Sequence, residues 1–235
     1  MTAMVTYMDE EFSKLIQALH AKDMYKNTLI VFHSDNGGEI MAAGLCGGNN
    51  WPLTGGKFSN FEGGIRVAAF VSGGYLPEKR RGVKETGLVT VWDWYATYAG
   101  LAGVDATDHM ADKAGLPPID SINQWELIAG TNHTPPRQEF LIGDTTALTP
   151  NADGKTEVGG ILVWPYKLLI GTVDHLYTVS QYVETGPNWP NISSHLAPLA
   201  HPKVCGREPL IGCLFNVMED PNEKVHTSPN PDPHA

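Results

Sequence analysis

The segment Thr28-Leu-Ile-Val-Phe-His33, followed directly by Ser34-Asp-Asn-Gly-Gly38, determines the fold prediction. Its first six residues form a nearly continuous apolar run, which is typical of a strand buried on both faces of a mostly parallel sheet. An amphipathic helix over residues 2–21 is predicted before it, because apolar side chains recur at intervals of three and four from Met1 to Leu19. A helix and a buried strand followed by a polar loop indicate α/β organisation.

The remainder of the chain divides into a loop-rich part and a part with short strands. Residues 34–64 are rich in Gly and Asn, which is typical of a long functional loop. The pattern then predicts strands at 65–71 and 87–91, a helix capped by Asp93 that runs to about residue 102, a loop at 104–118 and a short helix near 122–128. It also predicts short strands at 139–142, 161–164, 167–171 and 214–217, and a disordered tail from residue 227.

The charge balance excludes some functions. The chain carries 16 Lys and Arg residues against 26 Asp and Glu residues, which gives a formal net charge of −10. Binding to a nucleic-acid backbone needs clustered basic residues, so this balance argues against a nucleic-acid partner. No run reaches the roughly 18 uninterrupted apolar residues of a membrane helix, so no membrane span is predicted. The N-terminus shows no basic segment followed by an apolar run, so no signal peptide is predicted in this chain.

The cysteines and two glycosylation patterns bear on the cellular compartment. Cys205 and Cys213 are eight positions apart, whereas Cys46 stands alone. Spacing leaves two alternatives open for the pair: a disulfide worth roughly 2–3 kcal/mol in an oxidising compartment, or two unpaired thiols. Asn132-His-Thr and Asn191-Ile-Ser fit the acceptor pattern for N-glycosylation, which favours secretion only weakly because the pattern is short.

The polar loop after the first strand offers metal ligands. In open α/β sheets, ligands bind beyond the carboxyl ends of the strands, where Asp35 and Asn36 stand. A carboxylate and a carboxamide are hard oxygen ligands that suit Ca²⁺ or Mg²⁺, and the glycines that follow let the backbone turn sharply and allow close approach of a ligand. The alternative is an ordinary turn at the end of a strand, and these five residues alone favour it.

A second glycine-rich segment runs from Leu53 through Thr-Gly-Gly-Lys57 and Glu62-Gly-Gly-Ile-Arg66 to Val67. Lys57 stands among glycines, where a backbone can approach an anion closely, and its ammonium is a compact charge. Arg66 begins a predicted strand, where its guanidinium could make a structural or an anion contact. The spacing of a nucleotide-binding P-loop is absent from this segment.

These segments and others, in the same order along the chain, resemble the sulfatase family of the alkaline-phosphatase superfamily, and especially its arylsulfatase B-like branch. The similar segments are Met4-Val-Thr-Tyr-Met-Asp-Glu10, Ile30-Val-Phe-His-Ser-Asp-Asn-Gly-Gly38, Pro52-Leu-Thr-Gly-Gly-Lys-Phe-Ser-Asn-Phe-Glu-Gly-Gly-Ile-Arg-Val67, Trp92-Asp-Trp-Tyr-Ala-Thr-Tyr-Ala-Gly-Leu-Ala-Gly103 and Cys213-Leu-Phe-Asn-Val-Met-Glu-Asp-Pro-Asn-Glu223. Chance similarity over several long motifs in one order is improbable, so the resemblance reverses the preference for a plain turn.

The resemblance implies a fold, a site and a reaction. The fold is an alkaline-phosphatase-like mixed sheet, present in part, with the later part of the catalytic α/β domain at 1–130 and a small antiparallel subdomain at 131–235. Asp35 and Asn36 are then Ca²⁺ ligands, and Lys57 contacts the sulfate of a sulfated sugar or aryl sulfate. The nucleophile of the family is a formylglycine made from the cysteine of a Cys-x-Pro-x-Arg motif, and its members are lysosomal or secreted hydrolases.

The chain departs from the family in what it lacks. No Cys-x-Pro-x-Arg motif occurs, since Cys46 precedes Gly-Gly-Asn-Asn and Cys205 precedes Gly-Arg-Glu-Pro. The Asp-Asp pair that completes the family's metal site is also missing, and His20 and His33 do not stand in matching contexts. We therefore predict that formylglycine belongs to an upstream segment, that the missing N-terminal half is a partner, and that this chain alone is inactive.

Two rival functions remain. One is a noncatalytic, sulfatase-derived protein that binds a partner or a sulfated glycan. The other is a phosphatase or phosphonate hydrolase of the same superfamily, and Asn36 weighs against it because zinc members favour His beside Asp.

Overall fold

The computed structural model describes residues 2–40, 48–57, 59–143, 159–172, 204–205 and 212–225. The predicted disordered tail, Cys46 and the glycosylation pattern at Asn191 lie outside these residues. No helix within the described ranges is long and apolar enough to cross a membrane.

The chain divides into two compact units. One unit comprises Met1, Phe32–Phe70 and Glu139–Ala235, and we call it unit 1; unit 2 comprises Thr2–Val31 and Val71–Gln138. The predicted domain boundary after residue 130 stays a prediction, because compact units of a folded chain do not by themselves define independently folding domains.

Five helices and seven strands lie in the described residues. The helices are α1 (Thr2–Ala21), α2 (Glu62–Ile65), α3 (Asp93–Leu101), α4 (His109–Lys113) and α5 (Trp125–Ala129). The strands are β1 (Ile30–His33), β2 (Ala69–Ser72), β3 (Glu139–Ile142), β4 (Gly159–Val163), β5 (Tyr166–Thr172), β6 (Val204–Cys205) and β7 (Cys213–Asn216). Single 3₁₀ turns occur at Tyr25–Asn27 and Glu78–Arg80.

The first helix confirms the sequence prediction at both of its ends. Its apolar side chains are nevertheless largely exposed, with Met4 75%, Val5 54% and Leu15 50% accessible. The ring of His20, at its last turn, stacks on Tyr25 with centroids 4.1 Å apart. The amphipathic pattern therefore identifies the helix, but little of its apolar side is covered by the described residues.

The strands β1 and β2 form a two-stranded sheet, and both differ from their predictions. Hydrogen bonds from Ser34 N to Ala68 O and from Tyr75 N to Thr28 O flank the pair, so the two strands run in opposite directions. Of the β1 residues only Ile30 is buried, which contradicts the expected burial on both faces. An apolar run predicts a strand but specifies neither the direction nor the presence of its neighbours.

Four predictions for the segment between β1 and β3 are wrong in detail. The strand predicted at 65–71 begins only at residue 69, because residues 62–65 form α2. Residues 87–91 contain no strand, and the predicted loop at 104–118 contains α4, whose first amides are capped by the Asp108 carboxylate. Asp93 is the first residue of α3 rather than its cap. Its buried carboxylate accepts bonds from Thr90 N and Ile122 N and pairs with Arg137.

The four short strands predicted in the last third of the chain are confirmed, with small shifts of their ends. They form an antiparallel sheet in the order β3-β4-β5, and β7 and β6 both pair with β5. Leu169 faces Cys213 and Gly171 faces Cys205, so the two short strands follow one another along one edge of β5. A disulfide joins Cys205 to Cys213 with Cα atoms 5.2 Å apart, which resolves the alternatives left open by spacing.

The apolar core of unit 1 lies between α2 and this sheet. Phe61, Leu169 and Phe215 have no exposed surface, and the rings of Phe61 and Phe215 meet edge to face with centroids 6.3 Å apart. The residue immediately before α2 is thus packed against β7.

Candidate functional site

The Asp35 loop, residues 34–38, leaves the end of β1 as a tight turn. The Asp35 carboxylate oxygen Oδ1 accepts a bond from Asn36 N at 2.9 Å, and Ser34 Oγ donates to Asn36 O at 2.8 Å. The Asp35 side chain is exposed and that of Asn36 is half-buried. The turn and the metal-ligand interpretation are therefore compatible, because the turn itself orients an accessible carboxylate.

The Lys57 loop, described at residues 54–57 and 59–62, is closed at its base and attached to the Asp35 loop. Gly63 N donates to Thr54 O at 2.7 Å and closes the base. Lys57 N donates to Gly38 O at 3.3 Å, and Gly37 N donates to Gly64 O at 2.8 Å. The half-buried Lys57 thus stands on a backbone that is bonded directly to the segment following Asp35 and Asn36.

Glycine is required where the two loops meet. A Cβ atom on Gly37 would lie 1.7 Å from Gly63 O, and one on Gly63 would lie 2.2 Å from Gly55 O. Real side chains do not approach backbone so closely, so any larger residue must displace one of the loops. The glycines after Asn36 are expected from the sequence to permit close approach of a ligand, whereas in the structure Gly37 approaches the backbone at Gly63.

Asn50 also joins the two loops, and sequence reasoning missed it. Its carboxamide accepts from Gly38 N at 2.8 Å and donates to Gly38 O at 2.8 Å and to Gly55 O at 3.0 Å. A side-chain amide that matches a backbone N–H and C=O in this way substitutes for a strand neighbour. Nothing in its Gly- and Asn-rich surroundings distinguishes Asn50 from its neighbours.

A buried group of charges lies behind the Lys57 loop. Lys167 Nζ is 3.1 Å from Glu62 Oε1 and 2.7 Å from Glu223 Oε1, and all three side chains are nearly inaccessible. Burial raises the pKa of Glu223 to about 7, although the Lys167 charge and the hydrogen bond from Glu62 N act to lower it. Arg66, predicted to make a structural or anion contact, lies 3.8 Å from Glu62 Oε2 with half of its side chain exposed.

The side-chain oxygens of Asp35 and Asn36 suit a hard cation, for which they would supply part of the ligand set. Carboxylate and carboxamide oxygens suit Ca²⁺, and among the described residues the Asn36 side chain makes no hydrogen bond that would occupy its oxygen. No cluster of three or more His, Cys, Asp or Glu side chains able to hold a metal occurs in the described part of the chain. The His33 side chain is exposed, and its Nδ1 lies 3.0 Å from Ser34 O.

Comparisons with known proteins agree on one family. Residues 2–104 match the family model described as Sulfatase. Arylsulfatase J of Mus musculus is 31% identical over 239 residues, covering 96% of this chain and 36% of that protein. The crystal structure of Ps i-CgsB superposes with a TM-score of 0.60 and 26% identity, covering 96% of this chain and 38% of that chain. The PsFucS1 sulfatase from Pseudoalteromonas sp. gives a TM-score of 0.59 at 21% identity, covering 93% and 36%.

Mixed helices and antiparallel sheets with these structural neighbours define an α/β fold of the alkaline-phosphatase-like class. The chain belongs to the sulfatase family. It spans little more than a third of the length of these three relatives.

Proposed function

We propose that this chain supplies part of the active site of a sulfuric ester hydrolase of the arylsulfatase type. The observation that carries the proposal is the attachment of the Asp35 loop to the Lys57 loop through the bonds from Gly37 N to Gly64 O and from Lys57 N to Gly38 O. The attachment supports a single site in which oxygen ligands for a divalent cation lie beside an ammonium group. Such a combination suits an anionic ester.

The three side chains have two roles in this proposal. Asp35 and Asn36 hold Ca²⁺ through their side-chain oxygens. The bound cation would stabilise the negative charge that develops on the transferring sulfuryl group. Lys57 donates hydrogen bonds to the sulfate and to the ester oxygen, and its short-range charge acts where the leaving group separates.

The rest of the site lies outside these residues. Sulfatases generally use Ca²⁺ and formylglycine, and the 235 residues contain no Cys-x-Pro-x-Arg motif from which formylglycine could form. Calcium takes ~6–8 oxygen ligands, a number that two side chains do not supply. We infer that this chain alone has no turnover and binds Ca²⁺ weakly, and that an upstream segment completes the site.

A sulfated sugar or an aryl sulfate is the proposed substrate class. Support for a sugar comes from the solved complex of Ps i-CgsB with k-i-k-neocarrahexaose, a structure that matches 96% of this chain at 26% identity. Support for an aryl sulfate comes from the similarity to Arylsulfatase J.

A noncatalytic, sulfatase-derived binding protein is the second candidate. The absence of a Cys-x-Pro-x-Arg motif from these residues favours it. In that case the Asp35 loop and Lys57 would bind a sulfated glycan without cleaving it. Reading the DNA or transcript upstream of Met1 for the motif separates the two candidates, because the enzyme requires it and the binding protein does not.

The disulfide and the glycosylation pattern support an oxidising compartment. Cys205 and Cys213 are both buried and bonded, and such bonds persist mainly in secreted, lumenal or lysosomal proteins. Asn132 is exposed at the end of α5, with its Oδ1 accepting from Thr134 N at 3.0 Å. We propose a lysosomal or secreted glycoprotein with a glycan on Asn132. Treatment with a glycosidase should then remove the glycan and lower the mass of the protein.

The exposed apolar side of α1 supports a further polypeptide partner. Met4, Val5, Met8 and Leu15 all expose more than two-fifths of their surface. Clustered exposure of this kind marks a contact surface, and we propose that the missing N-terminal half of the sulfatase fold covers it. The isolated chain should then bind a hydrophobic dye and self-associate. A monomer that unfolds cooperatively and binds no dye would contradict this partner.

The decisive experiment compares the chain with a version extended upstream through a Cys-x-Pro-x-Arg segment. Hydrolysis of a chromogenic aryl sulfate is measured, and calorimetry measures Ca²⁺ binding. The extended protein should hydrolyse the ester, its Asp35→Ala variant should not, and the 235-residue chain should show neither turnover nor tight Ca²⁺ binding. Full activity of the extended Asp35→Ala variant would overturn the metal assignment, and robust turnover by the short chain would overturn the division of the site.

A further inference from the structure

Two consecutive residues near the end of the described chain hold both ends of the Lys57 loop. At one end, Thr54 Oγ1 donates to the backbone oxygen of Asn222. At the other, the backbone N–H of Glu62 donates to the carboxylate oxygen Oε2 of Glu223. The loop that carries Lys57 therefore begins and ends on the same turn, which follows β7.

The carboxylate of Glu223 is itself held by a rigid element. Lys167 lies within β5, paired with Leu162 on one side and Phe215 on the other. Its ammonium has no solvent access and lies 2.7 Å from Glu223 Oε1. A buried cation that contacts Glu223 and also Glu62 restricts both carboxyl groups to one geometry, because any movement would leave the Lys167 ammonium without its partners in a dry interior.

We propose that Glu223, held by Lys167, is a positioning residue that fixes the Lys57 loop against the Asp35 loop. Lysine reaches its target on a flexible four-carbon stem, so the placement of its backbone limits how well its ammonium can be positioned. The loop is also joined to the sheet through the ion pair of Glu62 with Lys167 and the apolar contact of Phe61 with Phe215. The inference rests on the proposed function for the role of Lys57, whereas the attachment of the loop does not.

The test is amide hydrogen exchange in the full 235-residue chain carrying Glu223→Leu. Leucine fills similar space and leaves Lys167 paired with Glu62, but it removes the acceptor for Glu62 N. Exchange at residues 57 and 62–64 should rise about tenfold or more, while amides of β4 and β5 change much less. Glu219→Leu is the matched control, since Glu219 is exposed in the same turn and should leave the loop unchanged.

A conservative variant separates positioning from a simple change of charge. Glu223→Gln retains an oxygen that can accept from Glu62 N, so exchange in the Lys57 loop should stay close to that of the unmodified chain. As a second readout, the rate of amine labelling at Lys57 should rise in Glu223→Leu and not in Glu223→Gln, with the exposed Lys22 as internal reference.

Three results would overturn the proposal. The first is unchanged amide exchange of the Lys57 loop in Glu223→Leu. The second is a rise in exchange in β4 and β5 equal to that in the loop. The third is loop exchange in Glu223→Gln as fast as in Glu223→Leu. If Glu223→Leu does not fold, Thr54→Val decides the question. That variant keeps the shape of Thr54 and removes only its bond to Asn222, so it should loosen the same segment to a smaller degree, and no loosening would overturn the proposal.

The outcome is distinguishable from that of the proposed function. Exchange and labelling report on the loop whether or not any ester is cleaved. A loosened loop in Glu223→Leu, combined with no hydrolysis by the extended protein, would leave the attachment intact and remove the catalytic role. Hydrolysis by the extended protein, combined with unchanged exchange of the loop in Glu223→Leu, would support the proposed function and overturn the positioning role of Glu223.

Discussion

Asp93 and Arg137 form a buried, bidentate ion pair. Arg137 Nη2 lies 2.6 Å from Asp93 Oδ1, and Arg137 Nε lies 2.8 Å from Asp93 Oδ2. Arg137→Met should therefore leave the fully buried Asp93 carboxylate without its counter-charge. We expect a loss of about 3–5 kcal/mol in the free energy of unfolding, measured by urea titration. Arg81→Met, at an exposed arginine of the same unit, should change the stability by less than about 0.5 kcal/mol. Equal effects of the two changes would contradict this role.

Stability should fall as the pH rises through the range in which Glu223 titrates. Its pKa is raised by burial from 4.5 to about 7, so between these values the unfolded chain ionises this carboxyl before the folded chain does. The stability that the neutral carboxyl confers is complete below 4.5 and is lost by about 7, with a slope of up to about 1.4 kcal/mol per pH unit. The charged groups that face Glu223 are Lys167 and Glu62. Arg66 Nη1 lies 3.8 Å from Glu62 Oε2. Glu223→Gln should flatten the slope measured by urea unfolding, and an unchanged slope would assign it to other groups.

The disulfide should stabilise the strand pairs along the edge of β5. Closing the short loop between Cys205 and Cys213 removes chain entropy from the unfolded state, and replacing both cysteines by Ala should cost roughly 2–3 kcal/mol. Unfolding with and without a reducing agent measures the same quantity in the unmodified chain. The reductant should have no effect on the double variant; if it does, a thiol other than this pair is responsible.

Lys57→Ala should reduce the rate of sulfate-ester hydrolysis by the upstream-extended protein by ~10²–10³, the size expected for the loss of one electrostatic contact in the transition state. Steady-state rates on a chromogenic aryl sulfate provide the measurement. Lys22→Ala, which removes an exposed positive charge after α1, should leave the rate unchanged. A Lys57→Ala enzyme with normal turnover would remove this side chain from the reaction.

Periodicity in the sequence predicted the elements that carry a clear repeat. The interval of three and four residues predicted α1 at its observed bounds, and short apolar runs between turns predicted β3, β4, β5 and β7. The segment 62–65 was misassigned because a Glu-Gly-Gly-Ile sequence has a poor helix propensity. It is helical because Phe61 packs against Phe215 and Glu223 binds its first amide, and both partners are far away in sequence.

The candidate site was predicted in part for a similar reason. Asp35, Asn36 and Lys57 stand in glycine-rich loops whose local composition indicates function, and the family resemblance assigned their roles. Lys167 and Glu223 were missed, because a single Lys or Glu in a sequence resembles a surface charge. One signal was present: Lys167 occupies the same face of β5 as the fully buried Leu169, two positions along an alternating strand.

The junction between the two loops also affects the chemical lifetime of a proposed metal ligand. In an Asn-Gly sequence the glycine nitrogen readily attacks the asparagine side chain, because glycine offers no Cβ to obstruct the cyclisation that leads to deamidation. Here the nitrogen of Gly37 donates to Gly64 O at 2.8 Å, and Gly37 packs against Gly63 O, so the attacking geometry is restrained. Asn36 should therefore survive storage in the folded chain and convert to an acidic residue in the unfolded chain. Mass spectrometry of aged samples would show equal conversion in both states if the junction offered no such protection.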